Sequence, residues 1–211
     1  THLLAVPLDL AAQRRAGRTR APRPITSGNV RDGWPRISPD GSQVAFIRSL
    51  PDDDEADAAL CLVPIGGGRV RTVRGRGFGA VGEVAWSPDG SRLAFTAEVD
   101  PPRFLIGAVP AVGRRQRSTK GDTSPTGRHI TRTDWRWDGV GHLDRWSHLF
   151  VVDSAPGSRP RQVTSGDWGV SDIAWSPDGR TVAFTTTRGP EPDLRPRTSV
   201  WSGCSPTTPA P

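Results

Sequence analysis

The sequence has 211 residues, of which 34% are hydrophobic, and it contains 24 Gly and 21 Pro. This length fits one domain or part of a larger one, and the many turn-forming residues favour an all-β protein over a helical one. The net charge is +6, and every basic residue except Lys120 is an arginine. Because the arginines are scattered through predicted loops and no nucleic-acid-binding motif accompanies them, we expect no nucleic-acid partner.

The sequence shows no membrane or export signal. No apolar stretch approaches the ~20 residues that span a bilayer, and the opening THLLAVPLDL lacks the basic start and cleavage site of a signal peptide. The two cysteines, Cys61 and Cys204, have neither the pattern of a disulfide framework nor a metal-binding spacing. We therefore expect a cytoplasmic chain without membrane contact, metal or cofactor. The opening Thr1 indicates a start within a longer protein or after processing.

Three segments align without gaps around a shared Ser-Pro-Asp-Gly motif. They are WPRISPDGSQVAFIR (Trp34 to Arg48), VAWSPDGSRLAFTA (Val84 to Ala97) and IAWSPDGRTVAFTT (Ile173 to Thr186). Pro supplies the φ of the second position of a type I turn, Asp can cap the backbone, and Gly tolerates the positive φ that ends the turn. Since apolar runs flank each turn, each repeat predicts a two-stranded hairpin.

A second element, also strand–turn–strand, alternates with these hairpins. Its three copies lead from Leu3–Asp9 to Pro22–Gly28, from Leu60–Val63 to Val70–Val73, and from His148–Asp153 to Pro160–Gly166. Pairing one hairpin with one such element gives four antiparallel strands, which is the blade of a β-propeller. In this arrangement we interpret His148, at the start of its strand, as an edge or turn residue.

The repeats divide the chain into parts of an incomplete β-propeller. We assign residues 1–28 to the last two strands of a blade, 34–76 to a full blade, 83–166 to a full blade with an insertion at 100–146, 172–201 to the start of a further blade with Thr198–Trp201 as its third strand, and 202–211 to a disordered tail. The interval from Ser87 to Ser176 is nearly twice that from Ser38 to Ser87, so an extra degenerate blade is the alternative. The insertion is favoured because 100–146 contains no further Ser-Pro-Asp-Gly hairpin.

These repeats resemble those of two kinds of propeller. The Ser-Pro-Asp-Gly hairpin, followed by an apolar strand and the PRQVTSG strand, resembles TolB-type repeats and the N-terminal propellers of the prolyl oligopeptidase family. WD-repeat propellers share the turn, but the Trp-Asp pair that usually closes their third strand is absent from Leu60–Pro64 and Leu149–Asp153. The segment ITRTDWRWDGVGHLDRWSHLFVVD, Ile130–Asp153, is similar to the acylaminoacyl-peptidase branch of the prolyl oligopeptidase family. The resemblance covers residues 3–201.

The resemblance implies a function. In that family the propeller filters peptide substrates in front of a C-terminal α/β-hydrolase domain, which carries the catalytic residues. No G-x-S-x-G nucleophile motif occurs in the 211 residues. The resemblance therefore implies a non-catalytic propeller of a serine peptidase, truncated before the hydrolase domain and gating peptide access to it. The alternative is a TolB-like propeller that binds proteins, which an export signal and a reading frame without a hydrolase domain would support.

The insertion holds the candidate binding residues. Aromatic side chains that alternate with charges on a long loop suit a substrate cleft, although the Trp side chains could instead pack on the blade while the charges pair locally. The candidates are Asp134, Trp135, Arg136, Trp137, Asp138, Asp144, Arg145 and Trp146. We assign no catalytic, cofactor or metal residue, because Ser147, His142 and Asp144 are too close in one loop to form a triad and the acidic run at 52–55 lacks EF-hand spacing.

Two further expectations concern the ends of the repeats. The arginines of 14–23 are expected to be solvated in a loop between strands. The half-blades at the two ends of the chain would leave strand edges open at Leu3–Leu8 and Val182–Thr186. Because open edges carry unpaired backbone N–H and C=O groups, the chain is expected to associate with itself through them.

Overall fold

The computed structural model describes residues 1–7, 21–49, 58–73, 79–99 and 145–186, together with the backbone of four short strands between residues 105 and 142. The predictions for the arginines of 14–20, for the acidic run at 52–55, for Thr198–Trp201 and for the tail 202–211 lie outside these residues. Within the described ranges every regular element is a β-strand.

The strands follow the predicted hairpins closely. In chain order they are β1 (Leu4–Ala5), β2 (Arg23–Pro24), β3 (Arg31–Ile37), β4 (Gln43–Ser49), β5 (Ala59–Pro64), β6 (Arg71–Thr72), β7 (Val81–Trp86), β8 (Arg92–Val99), β9 (Leu105–Ile106), β10 (Gly127–Arg128), β11 (Arg136–Trp137), β12 (Gly141–His142), β13 (Trp146–Asp153), β14 (Arg161–Gln162), β15 (Val170–Trp175) and β16 (Val182–Thr186).

Two antiparallel four-stranded sheets form the centre of the molecule. The first, blade 1, has the order β3-β4-β5-β6, and the second, blade 2, has the order β7-β8-β13-β14. The pair β1-β2 forms an N-terminal half-blade and the pair β15-β16 a C-terminal half-blade, while β9-β10 and β11-β12 are separate pairs. Four-stranded antiparallel blades in series confirm the prediction of an all-β, propeller-like fold.

Each Ser-Pro-Asp-Gly turn is held by the same hydrogen bonds. In blade 2 the Ser87 hydroxyl donates to Asp89 Oδ1 (2.6 Å) and accepts from the Arg92 N–H (2.9 Å), while the Gly90 N–H donates to the Ser87 carbonyl (2.9 Å) at φ +71°. The bond from Ser87, with two more from Ser91, lowers the pKa of Asp89 to about 2. The turns at Asp40 and Asp178 repeat this arrangement.

Apolar side chains fill the spaces between successive blades, because alternate residues of a strand face opposite sides of the sheet. Three clusters result, one at each junction. Between the N-terminal half-blade and blade 1, the cluster consists of Leu3, Ile25, Val44, Phe46, Cys61 and Val63. Between blades 1 and 2, it includes Ile47, Leu60, Leu62, Leu93, Phe95 and Phe150. Between blade 2 and the C-terminal half-blade, it includes Leu149, Val151, Val163, Val170, Val182 and Phe184. The core is therefore made of interfaces between sheets.

The first strand of each unit lies beside the first strand of the next, since β7 contacts both β3 and β15. We call these three first strands, β3, β7 and β15, the inner strands. In each of them the pairing with the second strand is irregular at one place, which includes Trp34 in β3, Glu83 in β7 and Asp172 in β15. Trp34 and Asp172 adopt positive φ values of 55° and 52°. The first strands of successive blades surround the axis of a propeller, so these three positions lie on the strands nearest to that axis.

The two ends of the blades differ. One end, the turn end, carries the Ser-Pro-Asp-Gly turns and the turns between third and fourth strands. The other end, the loop end, carries the connections between second and third strands, where Arg31 pairs with Ser49 and Trp146 pairs with Val99. The segment between β8 and β13 therefore leaves and rejoins blade 2 at the loop end.

The placement of His148 corrects a sequence prediction. We expected an edge or turn residue, but His148 lies within β13, which is paired with a strand on each side. Only 3% of His148 is exposed. Its Nε2 lies 3.1 Å from the Gly166 carbonyl and its Nδ1 lies 3.3 Å from Thr164 Oγ1. The prediction was wrong because a histidine can occupy a buried strand position when backbone and hydroxyl partners satisfy both ring nitrogens.

Candidate functional site

A groove opens between blades 1 and 2 at the loop end. Its volume is about 560 Å³, and its lining includes Arg31, Trp34, Ile47, Val81 and Glu83. We call it the interblade groove. The groove lies at the loop end, where the segment between β8 and β13 also leaves and rejoins blade 2.

Trp34 is an exposed large hydrophobic side chain in this lining. It occupies the irregular position of β3 at φ 55°, and 66% of it is exposed. A bulky residue at positive φ costs of order 1–3 kcal/mol, and such strain is characteristic of functional positions. The strand irregularity therefore presents an aromatic side chain to the groove instead of to the core.

Glu83 occupies the equivalent position of β7, but its carboxylate is already bound. Oε1 accepts a hydrogen bond from the Asp172 N–H (3.0 Å) and Oε2 accepts one from the Ile173 N–H (3.2 Å). Glu83 therefore ties the inner strand of blade 2 to that of the C-terminal half-blade. Its own N–H donates to Thr96 Oγ1 (2.9 Å), which lies within 2.8 Å of the place where a Cβ on Gly82 would be.

The second carboxylate of the groove, Asp32, is also paired. Arg48 Nε and Nη2 donate to its two oxygens at 2.7 and 2.9 Å. Burial alone would raise the pKa of Asp32, but the hydrogen bonds from Arg48 and Thr26 outweigh burial and hold this pKa below its ordinary value. Asp32 therefore stays ionised, and it acts as a fixed support below the groove and not as a proton-transfer group.

These pairings decide what the groove can do chemically. With both carboxylates engaged, the lining offers an exposed indole, apolar walls and the Arg31 guanidinium. Such a surface suits binding of peptide side chains and backbone carbonyls more than bond-breaking chemistry. Among the described residues, no three His, Cys, Asp or Glu side chains are grouped so that they could hold a metal ion.

A second cleft, of about 580 Å³, lies beside the turn after β5 and is lined by Arg69 and Arg71 among others. Arg71 is committed to holding the blades together, because its guanidinium donates to the carbonyls of Ser154 and, at 3.3 Å, of Ala155 in blade 2. Arg23 makes the same contact from the N-terminal half-blade to the carbonyls of Gly66 (2.7 Å) and Ile65 (3.1 Å). We call this repeated contact the arginine clamp.

The arginine clamp changes the interpretation of one predicted residue. Arg23 was expected to be solvated with the other arginines of 14–23, but it lies in β2 and bridges two sheets. The signal in the sequence is positional, since Arg23, Arg71 and Arg161 each begin the fourth strand of a unit. The interaction itself could not be read from the sequence because its acceptors are backbone carbonyls of the next repeat.

Tryptophan side chains connect the inner strands in a comparable way. Trp86 Nε1 donates to the Arg36 carbonyl (2.9 Å), and Trp175 Nε1 donates to the Ala85 carbonyl (3.2 Å). In each case the acceptor immediately precedes the equivalent position in the preceding blade. That position in blade 1 is Ile37, which is 60% exposed.

The structure describes two of the predicted site residues with their side chains. Trp146 is buried at the start of β13, where a Cβ on Gly169 would lie 3.7 Å from its ring, and Arg145 lies 3.7 Å from the half-exposed carboxylate of Glu98. Arg136 and Trp137 form β11, whose side chains lie outside the described residues. Asp134, Trp135, Asp138 and Asp144 also lie outside. Sequence reasoning did not identify Arg31 or Trp34, which line the interblade groove.

Comparison with known proteins gives one clear sequence relative. No family model matches the chain. The chain is 30% identical over 164 residues to the uncharacterised peptidase YuxL of Bacillus subtilis strain 168, a match that covers 77% of this chain and 23% of the relative. The chain is similar to part of a bacterial peptidase. It spans less than a quarter of the length of that relative.

Solved structures with similar folds include propellers and peptidases. Pyrococcus horikoshii acylaminoacyl peptidase is 14% identical with a TM-score of 0.47, covering 92% of this chain and 27% of the other. A TolB-like protein of Agrobacterium tumefaciens is 18% identical with a TM-score of 0.46, covering 81% and 44%. The propeller domain of the Pyrococcus furiosus Trilobed protease is 13% identical with a TM-score of 0.42, covering 75% and 35%.

Among the described residues no helix is both long and apolar enough to cross a membrane.

Proposed function

We propose that this chain is the substrate-gating propeller of a serine peptidase of the acylaminoacyl-peptidase branch of the prolyl oligopeptidase family, and that the α/β-hydrolase domain lies outside the 211 residues. The observation that carries the proposal is the 30% identity to a bacterial peptidase over 164 residues. The match leaves most of that relative uncovered, which is where a catalytic domain would lie. The absence of a G-x-S-x-G motif from this chain agrees with that division.

The contacts between blades supply the physical basis for gating. A propeller can exclude large substrates only if its adjacent blades do not separate. Here each junction between blades combines an apolar cluster with hydrogen bonds from arginine or tryptophan side chains or to a glutamate carboxylate. Peptides would then approach along the loop end, where the groove offers Trp34 and Arg31. An aromatic contact contributes about 0.5–1.5 kcal/mol beyond the area it buries, which suits weak, sequence-tolerant capture of a peptide.

The first experiment tests whether the catalytic serine lies outside the 211 residues. A fluorophosphonate probe labels an activated serine, so it should label the product of the complete reading frame and leave the 211-residue chain unlabelled. Labelling of the chain itself, abolished by denaturation, would contradict a non-catalytic propeller. A reading frame with an export signal and no hydrolase domain would instead support a protein-binding TolB-like module.

The second experiment tests the groove. Binding of an N-acetylated tripeptide with an aromatic side chain to the 211-residue chain is measured by ligand-observed NMR. Trp34→Ala should weaken binding by about 2- to 10-fold, the equivalent of the aromatic contribution. Ile37→Ala is the matched control, because Ile37 is on the same strand and similarly exposed but lies toward the turn end. Equal effects of the two substitutions on binding would show that the peptide does not bind in the interblade groove.

A further inference from the structure

A cleft at the turn end of blade 1 has a basic lining that peptide binding in the interblade groove does not use. It is the cleft of about 580 Å³ beside the turn after β5, and we call it the turn-end cleft. Three of its lining side chains carry nitrogen donors, namely Gln43, Arg69 and Arg71. Because no Asp or Glu is among the residues that line the cleft, its lining is positively charged.

The cleft lies on the face of blade 1 that meets blade 2. Gln43 pairs with Pro64, and Arg71 pairs with Leu62. Leu62 and Pro64 share a face because they are two residues apart in one strand, and Leu62 packs in the apolar cluster between blades 1 and 2. Gln43 and Arg71 are therefore directed to the same side of the sheet, toward the next blade.

Arg71 is a half-buried cation that no carboxylate neutralises within the described part of the chain. Its Nη1 and Nη2 donate to backbone carbonyls of blade 2, and no acceptor among the described residues contacts its Nε–H. Burial lowers the pKa of Arg71, because its charge is less well solvated than in water. A charge that is removed from water is normally paired. The arginine clamp therefore holds a guanidinium in place with an unmet demand for an anion.

Blade 2 indicates which anion fits. Pro64 and Asp153 each end the third strand of their blade, so they occupy equivalent positions. In blade 2 Asp153 lies opposite Arg92, on the strand next to Arg161. Blade 2 thus supplies its own carboxylate among the basic residues of this face, whereas proline leaves blade 1 without one.

We propose that the turn-end cleft binds a carboxylate, which Arg69 and Arg71 hold in the place that Asp153 occupies in blade 2. Arg69 is exposed and makes no hydrogen bond or ion pair within the described ranges, so its guanidinium is available to the ligand. Charge-assisted hydrogen bonds from guanidinium groups match the two oxygens of a carboxylate. The ligand is an acidic group of a polypeptide or a free dicarboxylate. The site is at the opposite end of the blades from the interblade groove and does not depend on it.

Titration with succinate tests the site. The arginine Nε–H signals in ¹⁵N NMR spectra of the 211-residue chain report binding, and succinate should move the Arg71 signal downfield while neutral succinamide leaves it in place. Absence of a response to succinate would overturn the proposal. Sulfate that binds as tightly as succinate would show attraction of any anion and would overturn the assignment to a carboxylate.

A peptide distinguishes the two sources of the carboxylate. N-acetyl-Glu-Gly-Glu-amide presents acidic side chains without a free terminus. Affinity for this peptide at least 10-fold above that for succinate would support an acidic polypeptide as the ligand. Affinity equal to or below that for succinate would support a free dicarboxylate.

Two matched pairs of variants locate the bound carboxylate. Pro64→Asp supplies the blade 2 carboxylate within the chain and should weaken succinate binding about 10-fold or more, whereas Pro64→Asn, of the same size but neutral, should not. Arg69→Gln should weaken binding about 3- to 10-fold. Arg159→Gln removes the equivalent exposed arginine of blade 2 and should leave binding unchanged. Thermal unfolding checks that each variant is folded. Equal effects within either pair would overturn the proposed site.

Discussion

Arg71→Ala tests whether the arginine clamp holds adjacent blades together. The Arg71 guanidinium donates to the carbonyls of Ser154 and Ala155 across the junction between blades 1 and 2. A hydrogen bond from a charged group contributes about 1.5–3 kcal/mol when it is buried, and less when water can replace the lost donor. Since this clamp is partly exposed, we expect a loss of about 1–2 kcal/mol for its two bonds.

Thermal unfolding followed by tryptophan fluorescence measures this loss. For a chain of this size 1 kcal/mol corresponds to about 2–4 °C, so Arg71→Ala should lower Tm by about 2–8 °C. The control is Arg159→Ala. Arg159 is an exposed residue that lies just before β14. Its substitution should change stability by less than about 0.5 kcal/mol. An equal loss from both substitutions would refute the clamp.

Three further predictions concern pH and backbone geometry. Burial lowers the pKa of His148, so the fold favours the neutral ring and stability should fall as pH drops below the ordinary value of 6.5; His148→Gln should remove this dependence in urea titrations between pH 7 and 5. The lowered pKa of Asp89, about 2, means that its contribution is fully present above pH 4 and is lost as pH falls through 2, so the stability difference between the unmodified chain and Asp89→Asn should shrink as pH falls from 4 to 2; an unchanged difference over this range would contradict this. Gly82→Ala should destabilise the chain by about 1–3 kcal/mol, because its Cβ would displace the Thr96 hydroxyl from the Glu83 N–H; Gly33→Ala is the control, since a Cβ there meets no atom within 4 Å.

The sequence was sufficient to predict the propeller-like fold because the determinants of its hairpins are local. Each Ser-Pro-Asp-Gly turn is held by its own Ser and Asp side chains, and the flanking apolar residues alternate between two sheet faces. The same locality explains why the hairpin strands were placed correctly. Contacts between repeats left weaker signals, because the arginine and tryptophan contacts end on backbone carbonyls that carry no residue-specific pattern.

The groove could not be predicted for a related reason. Trp34 stands in the first repeat where the others have Glu83 and Asp172, and it lies at the irregular pairing of β3, where it lines the interblade groove. Its neighbours Pro35 and Gly33 are compatible with either a strand or a turn. Trp146, by contrast, was assigned to the insertion, although its pairing with Val99 makes it the first residue of β13. The boundary between a loop and the strand that follows it is set by pairing with a distant strand.

The central claim, that this chain is the gating propeller of a peptidase, is tested most directly by the length of the peptides that are cleaved. N-acylated peptides of increasing length are offered to the product of the complete reading frame and to the same product lacking residues 1–186, with fluorophosphonate labelling as the control for an intact catalytic serine. Our account predicts that both forms cleave short peptides at similar rates and that only the shortened form cleaves long ones. Identical length profiles for two equally labelled forms would contradict it.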